Sequence, residues 1–124
     1  MKPWIGVDLD GTLAEYHGDE GPMHIGNVVE PMKELILDWL EEGQCDVKIF
    51  TARVAQDSQE MVDTVVGHIQ DWLEYNDIPR LEVTNIKTQH MVELYDDRAV
   101  QVEFNTGVIY GESTLKYRRL LKQS

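Results

Sequence analysis

The stretch Lys2-Pro3-Trp4-Ile5-Gly6-Val7-Asp8-Leu9-Asp10-Gly11-Thr12-Leu13 decides how this chain is read. Trp4–Val7 is a short apolar run bounded by polar residues, which predicts a buried strand. Side chains alternate along a strand, so extended backbone past Val7 would put Asp8 and Asp10 on one side. Two carboxylates held side by side repel and call for a cation or a shared proton between them. Gly11 then permits a sharp turn where the carboxylates sit. A solvated strand end that happens to be acidic is the plain alternative for any Asp-x-Asp-Gly, since loops are rich in both residues. A helix–loop–helix calcium loop fits poorly, because its glycine belongs three positions after the second ligand. The choice between these readings falls to the rest of the chain.

Working outward, residues 14–28 carry no helical period. Tyr16-His17-Gly18-Asp19-Glu20-Gly21-Pro22-Met23-His24 is rich in turn formers and predicts a surface flap, a hairpin with its tip near Asp19–Pro22. Pro31 suits a first helical turn, and Met32, Leu35, Ile36, Trp39 and Leu40 form an amphipathic stripe that stops at Gly43. Asp46–Phe50 is a second strand, ending at Thr51-Ala52-Arg53. Asp57 and Glu60 have capping-box spacing ahead of a second helix, which buries Met61, Val62, Val65, Val66, Ile69, Trp72 and Leu73. A weak strand at Leu81–Thr84 leads into Asn85-Ile86-Lys87, and Met91–Tyr95 is a further strand that delivers Asp96 and Asp97. Val100–Phe104 and Val108–Tyr110 offer edge pairing, and Ser113 a cap for a short last helix. Strands alternating with helices predict an α/β fold: a Rossmann-like parallel sheet sandwiched by helices.

The 124 residues suit one domain spanning 1–124. No run is long and apolar enough to span a bilayer, and no signal-peptide pattern opens the chain. The single cysteine, Cys45, has no internal disulfide partner, so a reducing cytoplasm is the expected compartment. A net charge of −12 argues against extended binding along a nucleic-acid backbone.

Ligand sites of open α/β sheets lie beyond the carboxyl ends of the strands. Asp8 and Asp10, Thr51 and Arg53, Lys87, and Asp96 and Asp97 each come after a predicted strand. Each has a bland account alone: Thr51 as a turn cap, Lys87 as a solvated lysine, Asp96 and Asp97 as partners of Arg98. Together they place four carboxylates, two cations and a hydroxyl on one rim. Clustered like charges cost stability, so the set makes more sense around a divalent cation and a phosphate. Oxygen ligands with room for water suit magnesium, and lysine, arginine and hydroxyl donors suit phosphoryl oxygens.

These residues, in this order, resemble the haloacid dehalogenase superfamily of aspartate-nucleophile phosphatases. The first motif of that family, DxDGT[LV], matches Asp8-Leu9-Asp10-Gly11-Thr12-Leu13. The second, a hydroxyl residue ending an apolar strand, matches Thr51; the third, a lysine, matches Lys87; the fourth, an acidic pair, matches Asp96-Asp97. Thr51-x-Arg53 and Asp96-Asp97-Arg98 also resemble the phosphatase half of polynucleotide kinase–phosphatases. The resemblance implies that Asp8 attacks phosphorus, forming an aspartyl-phosphate, and that Asp10 acts as acid and then base. It implies magnesium on Asp8, the backbone carbonyl of Asp10 and Asp97, with Asp96 in support. Thr51 and Lys87 would hold the phosphoryl group, with help from Arg53.

The gaps between motifs leave no room for a cap domain, so a capless member with a short flap is expected. The expected partner is a phosphorylated small molecule or an accessible terminal phosphate. A neighbouring subunit of a homo-oligomer is one way to cover so open a site. Rival readings are a non-catalytic metal- or partner-binding domain of the same fold, a phosphotransferase, and a polynucleotide 3′-phosphatase. A receiver-type phosphoacceptor fits less well, because its acidic pair precedes its acceptor.

Overall fold

The computed structural model describes residues 2–18 and 20–111. Four parallel strands form one sheet: β1 (Trp4–Asp8), β2 (Asp46–Phe50), β3 (Glu82–Thr84) and β4 (Met91–Tyr95), in the order β3-β2-β1-β4. Two helices connect them, α1 (Glu30–Glu42) between β1 and β2 and α2 (Gln59–Tyr75) between β2 and β3. This is the Rossmann-like α/β sheet expected from the alternation of elements. The sheet registers Ile5 with Val47 and Val7 with Ile49, so these four side chains share one face.

Both helices cover that same face. Ile36 of α1 and Val65, Ile69 and Leu73 of α2 join Ile5, Val7, Val47 and Ile49 in a single core cluster. The reason is topological: β1–α1–β2 and β2–α2–β3 step the same way across the sheet, and right-handed crossovers then put both helices on one side. The expectation of helices on both faces is therefore met on one face only among the described residues. On the other face Trp4, Lys48, Met91 and Leu94 surround Gly6, whose missing Cβ would meet Met91 and Leu94. The ammonium of Lys48 lies 4.7 Å from the Trp4 ring and 3.1 Å from Glu82. The last helix expected from Ser113 lies outside the described residues.

Local chemistry explains the helix ends and the departures. Gly43 stops α1 in the left-handed conformation, φ 72°, its N–H donating to the Trp39 carbonyl. At the start of α2 the cap is Ser58 rather than Asp57: its hydroxyl accepts the Met61 N–H at 3.1 Å. The apolar stripes are also narrower than expected, since Leu35 and Met61 stay about two-fifths exposed. Rows three and four residues apart suffice to fill the contact, and residues at its rim face solvent. Val102 and Ile109 form an antiparallel bridge in a hairpin of their own and do not extend the sheet.

Ser58→Ala should cost about 1 kcal/mol in urea unfolding, the usual worth of a hydroxyl N-cap, whereas Asp57→Ala should change stability by only a few tenths. Equal losses at both positions would contradict this cap assignment.

Candidate functional site

In an open sheet a ligand crevice forms where neighbouring connections leave in opposite directions. Here that place is the carboxyl end of β1. From β1 the chain steps to β2 on one side, and β4 packs in parallel on the other. Asp8 closes β1, and Asp96 and Asp97 come directly after β4. One oxygen from each of Asp8, Asp96 and Asp97 lies within 4.8 Å of the others.

The turn after Asp8 makes this approach feasible. The Leu9 carbonyl accepts the N–H groups of Thr12, Leu13 and Ala14, curling the chain at once. Gly11 sits at φ 86°, and a Cβ there would lie 2.8 Å from an Asp97 oxygen. Glycine is thus required twice over, by backbone conformation and by space. Thr12 finishes the join: its hydroxyl donates to Asp97 Oδ1 at 3.2 Å and accepts the Asp97 N–H at 3.1 Å.

After this curl the two carboxylates of the opening motif have different partners. Asp8 faces Asp96 and Asp97, while Asp10 turns to Arg53. Arg53 Nε donates to Asp10 Oδ2 at 2.7 Å and Nη2 to Oδ1 at 2.8 Å. Extended backbone past Val7 was expected to set Asp8 and Asp10 side by side; the chain instead curls at Leu9, and a guanidinium binds both oxygens of the Asp10 carboxylate.

Crowding sets the electrostatics of Asp8. Its pKa is pushed up to about 7, first by burial, then by a side-chain hydrogen bond to Asp97 and by the charges of Asp96 and Asp97. Such a set of hard oxygens, brought together against their repulsion, could hold a divalent cation. Exposed acidic groups also occur without metal; here Asp8 is half-buried, which makes an uncompensated charge costly.

A cavity of about 290 Å³ opens beside this cluster, lined by Asp8, Asp10, Phe50, Thr51, Arg53, Asp96 and Arg98, with Tyr16 and Ala52 completing its wall. Thr51 is 2% exposed, and its hydroxyl accepts the Arg53 N–H at 3.2 Å, leaving its own O–H to donate. Five of the expected residues, Asp8, Asp10, Thr51, Arg53 and Asp96, thus meet on one cavity, with Asp97 joined through Asp8. Lys87 does not line it; it lies in an exposed loop beyond β3. Lys48, in the middle of β2, is engaged with Trp4 and Glu82.

A second cation on the wall, besides Arg53, is Arg98. Its backbone N–H donates to Asp96 Oδ1 at 2.7 Å, and its side chain makes no salt bridge among the described residues. Sequence reasoning passed over it because an arginine beside two aspartates reads as their local partner. The flap histidines stand at the surface beside acids, His17 by Glu15 and His24 by Glu20.

Compared with family models and with curated proteins, the chain matches none. Among solved structures it is similar to a conserved protein coded by a locus of Bacteroides thetaiotaomicron. Sequence identity is 16%, the match covers 100% of this chain and 93% of that one, and the TM-score is 0.49. No described helix is long and apolar enough to cross a membrane.

The raised pKa of Asp8 has a measurable sign. The folded chain holds the Asp8 proton more tightly than the unfolded chain, so protonation stabilises the fold. That contribution is fully present below the ordinary value of 3.8 and is lost as pH rises through about 7. In excess chelator, wild-type Tm should therefore fall relative to Asp8→Asn as pH rises from about 4 to about 7 and level off above that. Parallel Tm curves for the two proteins would contradict the shift.

Proposed function

We propose that this chain is a magnesium-dependent phosphomonoester hydrolase of the haloacid dehalogenase type, working through an aspartyl-phosphate on Asp8. The observation that carries the reading is the meeting of Asp8, Asp96 and Asp97 within 4.8 Å beside a cavity that also holds Thr51, Asp10 and Arg98. Three acids gathered at a strand end, next to a buried hydroxyl and an arginine, suit a phosphoryl group and a divalent cation better than they suit stability.

In this reading an Asp8 oxygen attacks phosphorus as the bond to the leaving oxygen breaks. Asp10 supplies the proton that the leaving alcohol requires, then takes one from the water that hydrolyses the intermediate. Splitting hydrolysis in this way replaces one difficult displacement by two easier ones. Thr51 and Arg98 hold the phosphoryl oxygens, Arg98 taking the place expected for Lys87. Asp8, Asp96, Asp97 and the Asp10 carbonyl are the residues that would hold magnesium. Bound there, it would neutralise carboxylates and phosphoryl oxygens alike. The flap is the only cover near the cavity among the described residues, which supports small phosphomonoesters or an exposed terminal phosphate as substrates. A polynucleotide 3′-phosphate is one such end, and transfer to an acceptor other than water would use the same first step.

A non-catalytic metal-binding domain is the second reading. The observation in its favour is that Arg53 occupies both Asp10 oxygens, so Asp10 must release one before it can carry a proton.

Two outcomes test the proposal. Asp8→Asn should lower magnesium-dependent turnover of aryl phosphates by about 10³-fold or more. Undiminished turnover, or full activity in excess chelator, would contradict it. Separately, magnesium should raise Tm by mass action, and Asp97→Asn should weaken that response more than Asp38→Asn on α1. A flat Tm across the magnesium titration would favour a domain without a metal site.

A further inference from the structure

Arg53 was expected to face the phosphoryl group, yet its guanidinium is committed to two other elements at once. Besides the paired bonds to Asp10, Nη2 donates to the His24 carbonyl at 2.7 Å and Nη1 to the Pro22 carbonyl at 2.9 Å. The side chain is only 14% exposed, and its Asp10 partner 24%. Arg53 is itself fixed from behind. Its N–H donates to the Thr51 hydroxyl, it sits in the 3₁₀ turn Ala52–Val54, and its carbonyl accepts from Gln56 at 2.9 Å.

We infer that Arg53 is a positioning residue that locks the return limb of the flap, Pro22–His24, to Asp10, and acts on the reaction through them rather than on the phosphoryl group. The inference rests on the proposed role of Asp10 as proton carrier. A forked guanidinium is suited to this task because its donors lie in one plane at fixed angles. It can span both oxygens of a carboxylate and still reach carbonyls on the far side. The partly buried setting strengthens the pair relative to a surface salt bridge, and a lysine, a single charged point, cannot reproduce it.

The flap has separate moorings that make the effect local. Glu15 N–H donates to the Asn27 carbonyl, Val29 N–H to the Leu13 carbonyl, and the Trp72 indole to the Gly26 carbonyl at 3.1 Å. Gly26 packs so closely that a Cβ there would overlap the Glu15 carbonyl. Removing Arg53 therefore loosens the limb at Pro22–His24 while its base stays in place. The His24 N–H, which donates to the Gly21 carbonyl, reports on that limb.

Amide hydrogen exchange, measured beside steady-state kinetics on an aryl phosphate, tests the assignment in Arg53→Ala, Arg53→Lys and Arg98→Ala. In both Arg53 variants exchange at His24 should rise about tenfold or more, with Glu15 and Val29 unchanged. Both variants should lose kcat by about 10²-fold with KM within about threefold, and lysine should not rescue. Arg98→Ala should leave His24 exchange unchanged and raise KM. Wild-type exchange at His24 in either folded Arg53 variant would overturn the inference. So would a rise in KM at unchanged kcat that lysine reverses, which is the pattern of a phosphate ligand. The exchange result requires no turnover. Faster His24 exchange in a protein inactive on every phosphoester would therefore keep the lock and discard the hydrolase reading.

Discussion

Three carboxylates forced together at the ends of two parallel strands are the constraint on which the rest of this site depends. Asp8 on β1 and the Asp96-Asp97 pair after β4 are brought within 4.8 Å because the two strands are neighbours. Nothing about the core requires acids there. Partial burial, then a hydrogen bond to Asp97 and the repulsion of the neighbouring acids, raise the pKa of Asp8 to about 7. Several nearby features make the crowding tolerable. Gly11 leaves room for Asp97, Thr12 binds both its carboxylate and its N–H, and the Arg98 N–H supports Asp96. A set of small adjustments around an electrostatically costly centre is consistent with the proposed role of the cluster.

The second acid of the opening motif belongs to a different arrangement. Asp10 is neutralised by a bidentate guanidinium, and the same guanidinium holds two carbonyls of the flap. One aspartate is thus left with a surplus of negative charge around it, and the other is matched by a cation. In the proposed reaction the two environments suit different tasks, Asp8 as a nucleophile beside a cation and Asp10 as a proton carrier held in orientation.

Much of the fold was legible because it rests on local patterns. Trp4–Val7, Asp46–Phe50 and Met91–Tyr95 read as strands from apolar runs, and Pro31 and Gly43 bracketed α1 by their backbone preferences alone. The carboxyl-end rule then gathered Asp8, Asp10, Thr51, Arg53 and Asp96 from sequence alone. What was not legible depends on three-dimensional pairing. Whether Arg53 points at a phosphate or at Asp10 is decided by where the flap folds back, which no local pattern around Arg53 records. Lys87 and Arg98 differ in which loop leans over the cavity. The Ser58 cap shows the same limit on a smaller scale, since Asp57 and Ser58 are both good caps and only the hydrogen bond to Met61 chooses between them.

The most direct measurement of the central claim is to mix the protein, magnesium and a slowly hydrolysed phosphomonoester, quench in acid within the first turnover, and digest. Mass spectrometry of the peptides then locates any transferred phosphoryl group. The expected result is one phosphoryl group on the peptide carrying Asp8, lost when Asp8 is replaced by Asn and diminished when chelator removes the metal. Release of a full equivalent of product with the phosphoryl group never on Asp8 would contradict the account.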